Sequence, residues 1–294
     1  NRPPPNSERA SEHVDQRLAT LHDLPVELIY EILRLSLNPS FTMTSRHIRL
    51  VFKSTSARFR ADYIITITDA PGRYQYSLET WWRDRLETWL RYGICDFEVL
   101  QLLIKRARPP RLSNRRYGDR FGDKFELPKR ILRSFASDEL ESQESQLIGE
   151  VLAMGFLRYL LRPIELPGYT QAEDVKSQDP ETVMLSGNSN SHDGYFLRRA
   201  VQLGHEPLVE LLLAHGCDPL QKAGLAVTLA IRSKDERMVR KLISKSDLGR
   251  LSGGPVGRHL LAYSAQVEAR DISNFFIKEM RIAPDPETLR LLNT

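Results

Sequence analysis

The sequence predicts an all-α protein in which a three-helix N-terminal module precedes a stack of antiparallel helix pairs. Three observations carry this prediction. Apolar residues in the first sixty positions recur at helical spacing, capping residues and prolines mark several helix ends, and the last hundred residues contain a segment that repeats after about thirty positions. Helix pairs are expected to stack because one pair buries only part of its apolar face.

The first predicted helix lies in the string LHDLPVELIYEILRLSL, which begins at Leu21. We expect Asp23 to cap this helix and Pro25 to occupy its first turn, where the missing N–H of proline costs nothing. The helix carries an apolar stripe formed by Leu24, Leu28, Ile32 and Leu35, and Ile29 and Leu33 broaden it. A second apolar face lies further on among basic residues: Ile48, Leu50, Val51, Phe52 and Phe59 are interspersed with Arg46, Arg49, Lys53, Arg58 and Arg60.

The two ends of this segment resemble an F-box. The string Leu-Pro-x-Glu-Leu-x-x-x-Ile-Leu begins at Leu24, and residues 50–60 are similar to the end of that module. In the F-box family the module docks on a Skp-type adaptor of a cullin-RING ubiquitin ligase. The resemblance therefore implies a set of adaptor-binding residues: Leu24, Pro25, Leu28, Ile32, Leu33, Leu50 and Val51.

The size of the module argues that its apolar surface is covered by something else. A three-helix unit of about forty residues buries too little surface to be stable alone, so it packs on the rest of the chain or on another protein. The same residue pattern also describes a capped core helix. In that interpretation the module folds onto the remainder of the chain as a cap.

Composition narrows the class of protein. The 294 residues leave room for one large domain or two, and 41% apolar with 27% charged residues is ordinary for a folded protein. The net charge of +4 permits acidic partners without arguing for them. Only Cys95 and Cys217 are present, which favours a reducing compartment, cytoplasm or nucleus. No run of 18 apolar residues occurs, so the sequence predicts no membrane partner.

The chain divides by composition and pattern. Residues 1–12 are proline-rich and predicted to be a disordered lead-in, residues 13–62 form the module, and residues 63–163 form a helical region with degenerate repeats. Residues 164–194 are rich in Pro, Ser, Asn and Asp and are predicted to be a polar loop. Residues 195–294 hold the clearest repeats.

Within the helical region, alternating residues around an Ala-Pro-Gly turn predict a small β-hairpin over 64–76. Two helices follow, over 78–92 and 97–106, the second capped by Asp96. Their short connection predicts that they lie antiparallel. Two later helices are predicted over 130–136 and over 145–162, the latter interrupted at Gly155.

Candidate partner-binding residues outside the module come from aromatic and basic positions. Trp81 lies off the face shared by Trp82, Leu86, Trp89 and Leu90, so we expect Trp81 to be exposed. Residues 105–133 are strongly basic with interspersed rings, a pattern typical of proteins that track a nucleic-acid strand and equally of a solvated loop or a nuclear-import signal. Its candidate contacts are Arg115, Arg116, Tyr117 and Arg120. No RNA or DNA motif frames this segment, so nucleic acid is not the favoured partner.

The back third carries the repeat. The string FLRRAVQLGHEPLVELLLAHGCDP begins at Phe196 and matches LAVTLAIRSKDERMVRKLISKS after a shift of thirty residues, and a looser third copy follows. A small residue in the first helix and Val-x-x-Leu-Leu in the second resemble the ankyrin repeat. Gly204-His205 and Gly216-x-Asp218 match that family's turn and end signals, whereas its Thr-Pro-Leu-His tetrapeptide is absent. The resemblance implies a curved stack whose concave side binds partners. Earlier degenerate repeats are predicted from Leu90, Val99, Leu102 and Leu103.

The sequence contains no convincing catalytic motif. The sequence has no GxGxxG or Walker-type lysine loop and no Gly-x-Ser-x-Gly elbow. His215 and Cys217 are too few ligands for a closed zinc site, and we interpret His205 as a structural hydrogen-bonding residue. We interpret the glycines near residue 250 as a flexible connector: Gly249, Gly253, Gly254 and Gly257. The sequence therefore predicts no enzyme, no metal and no cofactor.

These observations predict a substrate receptor that binds a Skp-type adaptor, and through it a cullin, with its module and binds an unknown target protein with its repeats. The first alternative is a protein-interaction scaffold with no ubiquitin link, in which the module caps the stack. The second alternative is nucleic-acid binding through residues 105–133.

Overall fold

The computed structural model describes residues 21–38, 41, 44–68, 78–107, 124–135, 143–167, 183–244, 246, 251–252 and 254–292. Within these ranges the protein is mostly helical and contains one small three-stranded sheet. The all-α prediction is therefore confirmed for the dominant secondary structure, and the sheet is an addition to it. None of the helices in these ranges is long and apolar enough to cross a membrane.

The helices of the front half are α1 Val26–Ser36, α2 Arg46–Lys53, α3 Ala57–Thr68, α4 Leu78–Arg91, α5 Phe97–Arg106 and α6 Gln143–Leu161. The helices of the back half are α7 Ser191–Gln202, α8 Glu206–Ala214, α9 Gln221–Arg232, α10 Glu236–Ser244, α11 Pro255–Gln266, α12 Arg270–Asn274 and α13 Pro286–Leu292. The strands are β1 Lys124–Phe125, β2 Ile164–Leu166 and β3 Val183–Gly187.

Aromatic rings hold the three helices of the N-terminal module together. The ring of Phe52 in α2 lies edge-on to two rings of α3, with centroids 5.9 Å from Phe59 and 4.9 Å from Tyr63. Tyr30 of α1 contacts the same Phe59 ring, at 5.9 Å between centroids. Because each such pair adds about 0.5–1.5 kcal/mol beyond area burial, the rings connect α1, α2 and α3 into one unit.

The ends of the module differ from the sequence prediction. Pro25 occupies the N-cap position of α1, and Asp23 lies in a preceding 3₁₀ turn, so Asp23 does not cap the helix as predicted. The third helix, α3, continues to Thr68, which puts Ile64 in a helix and the predicted boundary at residue 62 inside it. The hairpin prediction is wrong over 64–68 because Ile64 shares a buried helical face with earlier residues of α3, and residues 69–76 lie outside the described ranges.

A buried arginine ties the module to the body. Arg60 of α3 places Nη1 2.5 Å from Oδ2 of Asp96 and 3.3 Å from the carbonyl oxygen of Ile94. The other carboxylate oxygen of Asp96 accepts a hydrogen bond from the Val99 N–H at 3.0 Å, so Asp96 caps α5 as predicted. One carboxylate therefore both starts α5 and holds the arginine of α3.

A second, half-buried arginine contacts the same junction. Arg130 follows β1 and donates from Nε to the Leu90 carbonyl at 2.5 Å and from Nη2 to the Cys95 carbonyl at 2.8 Å. These carbonyl groups lie at and just after the end of α4, where helix carbonyls lack an intrahelical partner. We call Arg60 and Arg130 the arginine clamp.

The arginine clamp directs α5 towards α3 rather than α4. α5 packs against α3, and its contacts with α4 are few. α4 and α5 therefore do not form a packed pair, and the repeat spacing proposed before residue 100 does not correspond to one. The loop from Tyr92 to Asp96 is fixed by the two arginines, so it directs α5 towards the module.

The sheet corrects the prediction of a polar loop over 164–194. Its strand order is β1-β3-β2, with β1 parallel and β2 antiparallel to β3. Val183, Leu185 and Gly187 of β3 are buried, and Ile164 lies opposite Leu185. Residues 168–182 lie outside the described ranges. The alternating apolar residues of β3 are a strand signal, but a run this short becomes a strand only because β1 and β2 supply backbone partners on both sides.

The two helices predicted over 130–136 and 145–162 are both present, but the first differs in helix type and the second in continuity. The segment Lys129–Phe135 is a 3₁₀ helix, and α6 runs without a break through Gly155, so the predicted interruption there is wrong. A single glycine costs a helix only about 1 kcal/mol, which the buried face of α6 outweighs.

The back half repeats one turn geometry three times. The first helices of the three pairs are α7, α9 and α11, and two residues after the end of each lies a residue with positive φ: Gly204 at 64°, Lys234 at 56° and Glu268 at 56°. In each turn the next N–H donates to a carbonyl five residues earlier: His205 to Ala200 at 3.1 Å, Asp235 to Ala230 at 3.1 Å and Ala269 to Ser264 at 2.9 Å. This is the Schellman ending, which reverses the chain and returns the second helix onto the first.

In the first two pairs, a side chain just before the second helix caps its N-terminus. His205 accepts a hydrogen bond on Nδ1 from the Leu208 N–H at 3.1 Å, and Asp235 accepts one from the Met238 N–H at 2.9 Å. The interpretation of His205 as a structural hydrogen-bonding residue is confirmed. In the third pair, α12 continues as a π-helical turn over Phe275–Glu279.

Close packing at Gly257 corrects the prediction of a flexible glycine connector. Gly254 precedes α11 as its N-cap residue, and Gly257 lies buried in its first turn. A Cβ on Gly257 would lie 2.0 Å from the carbonyl oxygen of Leu251. Backbone cannot move aside as a flexible side chain can, so glycine is required there. Gly249 and Gly253 lie outside the described ranges.

We predict that Gly257→Ala lowers the free energy of unfolding by about 1–3 kcal/mol, because the added methyl group overpacks a backbone contact. The matched control is Gly149→Ala, where nothing lies within 4 Å of the added Cβ and the helix gains about 0.5–1 kcal/mol. Urea unfolding measures both. Equal midpoints for the two variants would contradict the close approach at Gly257.

Candidate partner-binding surface

The outer side of α1 carries large apolar side chains that the chain does not cover. Leu28 is 50% exposed and Leu35 is 75% exposed, and the half-buried Ile32 lies between them. These three residues are spaced four and three positions apart, so they line one side of the helix. We call them the α1 ridge.

The α1 ridge is exposed because α1 uses a different side for its own packing. Ile29 and Leu33 are buried, at 1% and 0% exposure, and face the aromatic core of the module. Two apolar stripes on one eleven-residue helix exceed what internal packing needs. Exposed apolar stripes of this kind mark interaction sites in soluble proteins.

The predicted adaptor-binding residues fall into two groups. Leu33 and Val51 lie in the module's own core, so we correct their assignment from contact residues to residues that support the surface. The others are at least partly accessible: Pro25, Leu28 and Leu50 are exposed, and Leu24 and Ile32 are half-buried. The helical spacing in the sequence identified the apolar positions, but it could not distinguish the covered stripe from the open one.

Leu50 lies on a basic face of α2. It is 54% exposed, whereas Ile48 and Phe52 on the other side of the helix are buried. Its exposed neighbours along this face are Arg46, Arg49 and Lys53. Partial desolvation by neighbouring side chains lowers the pKa of Lys53, and the positive charges of Arg49, Arg130 and Arg60 lower it further. A partner with acidic side chains at this position would relieve that repulsion.

Trp81 is not the exposed ring that the sequence predicts. It is 5% exposed, its ring centroid lies 4.9 Å from that of Trp82, and the guanidinium of Arg85 lies 5.3 Å from its ring. α4 packs on α3 and also on β1 and β3, so the helix is covered on two sides and buries adjacent tryptophans. Trp82 donates from Nε1 to the Pro167 carbonyl at 3.1 Å.

The remaining candidate contacts lie in the basic segment, residues 105–133. Arg115, Arg116, Tyr117 and Arg120 lie outside the described residues, so their assignment remains a prediction.

The described residues contain no cluster of three or more His, Cys, Asp or Glu side chains able to hold a metal ion. Both cysteines are buried, and burial raises the pKa of each thiol to about 12. A thiol in that state is protonated at neutral pH and does not act as a nucleophile.

Comparison with known proteins found no match to a family model, to a curated protein or to a solved structure.

We expect Leu33→Ala and Leu28→Ala to separate the two stripes of α1. Leu33→Ala should lower the free energy of unfolding by about 2–5 kcal/mol because it leaves a cavity in the module. Leu28→Ala should change it by about 1 kcal/mol or less because the side chain is half exposed. Thermal unfolding checks this, and equal losses from both variants would mean that the α1 ridge is covered in solution.

The two thiols should resist modification in the folded protein. At pH 8 both are protonated and buried, so a colorimetric disulfide reagent should titrate none of them in native protein and both after unfolding in guanidinium. Rapid modification of a native thiol at this pH would contradict the burial of that cysteine.

Proposed function

We propose that this chain is the substrate-recognition subunit of a cullin-RING ubiquitin ligase and binds a Skp-type adaptor through its N-terminal module. The observation that carries the proposal is the open α1 ridge, with Leu28 and Leu35 at 50% and 75% exposure on a helix whose other side is anchored. The sequence resemblance of this segment to an F-box supplies the identity of the partner.

The geometry supports a rigid docking surface. A helix that enters a partner's groove presents anchors at spacings of three and four residues, which is the spacing of the α1 ridge. The ring cluster around Phe52 and the arginine clamp hold the module in place. A preorganised surface loses little conformational entropy on binding, so more of the contact energy appears as affinity.

The back half is proposed to bind the target protein. Its helix pairs begin at Ser191, Gln221 and Pro255, and the sequence of the first two resembles ankyrin repeats. A stack of helix pairs provides an extended surface whose side chains are free of packing constraints. In this role the chain performs no chemistry. It raises the effective concentration of the target beside the ubiquitin-charged enzyme.

A protein-interaction scaffold with no ubiquitin link is the second candidate. The observation in its favour is the continuity between module and body: α3 packs along α5, and Arg60 joins the two through Asp96. A module that packs on the rest of the chain in this way is also the arrangement expected of a cap on the helical stack. The nucleic-acid alternative depends on residues 105–133, of which 108–123, including the candidate contacts, lie outside the described ranges.

The deciding experiment is recovery of a purified Skp-type adaptor on the immobilised full chain. The double variant Leu28→Asp with Leu35→Asp should weaken binding at least 30-fold, because loss of one hot-spot anchor costs about 2 kcal/mol or more. The matched control is Leu289→Asp on α13, an exposed leucine at 46% that lies outside the module. It should bind the adaptor as the unmodified chain does.

Circular dichroism of all three proteins verifies that folding is unchanged. If the unmodified chain recovers no adaptor, or the double variant recovers as much as the control, the ligase assignment fails and the scaffold becomes the better description.

A further inference from the structure

A second open apolar surface lies on α6, in the half of the helix nearest its N-terminus. Four aliphatic side chains are exposed there: Leu147 at 61%, Ile148 at 55%, Val151 at 69% and Leu152 at 68%. Their spacing of one, three and one positions puts them in two adjacent rows on a single side of the helix. We call this surface the α6 face.

The α6 face is separate from the side of the helix that packs on the protein. Ala153, Phe156, Leu157 and Leu160 are buried and supply the internal contacts of α6. The next position along the open side is Gly155, which is exposed, and a Cβ there would meet nothing within 4 Å. The helix therefore presents a row of large side chains followed by an open gap.

The α6 face is also free of charge. Glu150 is the one charged residue in the stretch 147–155, and it lies off this face, with Oε2 3.7 Å from Nε2 of His205. A neutral surface has no charge that repels an identical surface. By contrast, the exposed side of α2 is basic and would repel a copy of itself.

The arrangement is self-complementary about Val151. Leu147 and Gly155 each lie four residues from it, so in an antiparallel pair of α6 helices the Leu147 side chain of one copy faces the Gly155 gap of the other. Small residues let helices approach closely at such a gap. Two apolar patches of roughly 500 Å² each would bury about 1,000 Å², which is near the lower limit for a specific interface.

We propose that the α6 face binds a second copy of this chain, with the two α6 helices antiparallel and Val151 near the two-fold axis. The interface is isologous, because the same patch serves both copies. It uses no residue of the α1 ridge, so it stands apart from the adaptor-binding proposal, and the two are tested by different variants.

The first test is the mass of the full chain by analytical ultracentrifugation over a range of protein concentrations up to about 100 µM, because occupancy of an interface rises with concentration. The mass should rise towards twice 33.8 kDa. Val151→Glu should return it to 33.8 kDa with unchanged circular dichroism. The control Met184→Glu, at another exposed apolar residue, should still dimerise. A monomer at every concentration overturns the proposal.

Single cysteines test the geometry, because Cys95 and Cys217 are buried and leave no background reactivity. Under mild oxidation Val151→Cys should form a covalent dimer. An equal mixture of Leu147→Cys and Gly155→Cys should form mixed dimers, and Leu147→Cys alone should remain largely uncrosslinked.

The opposite pattern, with Leu147→Cys crosslinking to itself, would mean a parallel pair and overturn the antiparallel arrangement. A monomeric chain in which Val151→Cys resists a maleimide would mean that another part of the same chain covers the α6 face, and this outcome also overturns the proposal.

Discussion

The arginine clamp is the constraint on which the arrangement of the front half depends. Arg60 is buried and Arg130 is half-buried, and both direct their guanidinium groups at the short connection between α4 and α5. Burial lowers the pKa of Arg130, and its Nε and Nη2 donate to the carbonyl groups of Leu90 and Cys95. The clamp thus sets the direction of α5 and attaches the N-terminal module to the body.

With the module attached in this way, its helices cannot turn to hide their outer apolar sides. α1 buries Ile29 and Leu33 in the core that also contains Phe52, and this orientation leaves Leu28 and Leu35 outward. α6 shows the same division between a packed side and an open side. These side chains are 50–75% exposed, so each forgoes about 1–2 kcal/mol of burial, which a second protein can recover. Both proposals follow from this one physical situation: helices that carry more apolar surface than the chain covers.

The back half is organised by turns rather than by buried charges. Gly204, Lys234 and Glu268 have the same left-handed backbone, although two of them are not glycine. The Schellman hydrogen bonds made by the three turns offset that conformational cost. Each first helix then packs on the next one, α7 on α9 and α9 on α11, so the pairs form a stack. The surface of such a stack is open to variation because folding depends on its interior.

The sequence was enough to predict features that depend only on residues close together in the chain. These are the cap at Asp96, the turn at Gly204, the helical periods and the position of the apolar stripes. These follow from hydrogen bonds and spacings within a few residues. Tertiary structure alone decided which stripe of α1 is covered, that Trp81 is buried, and that β3 pairs with strands distant in sequence. Those outcomes depend on which surfaces meet after the chain has folded back on itself, and a local pattern holds no information about its distant neighbours.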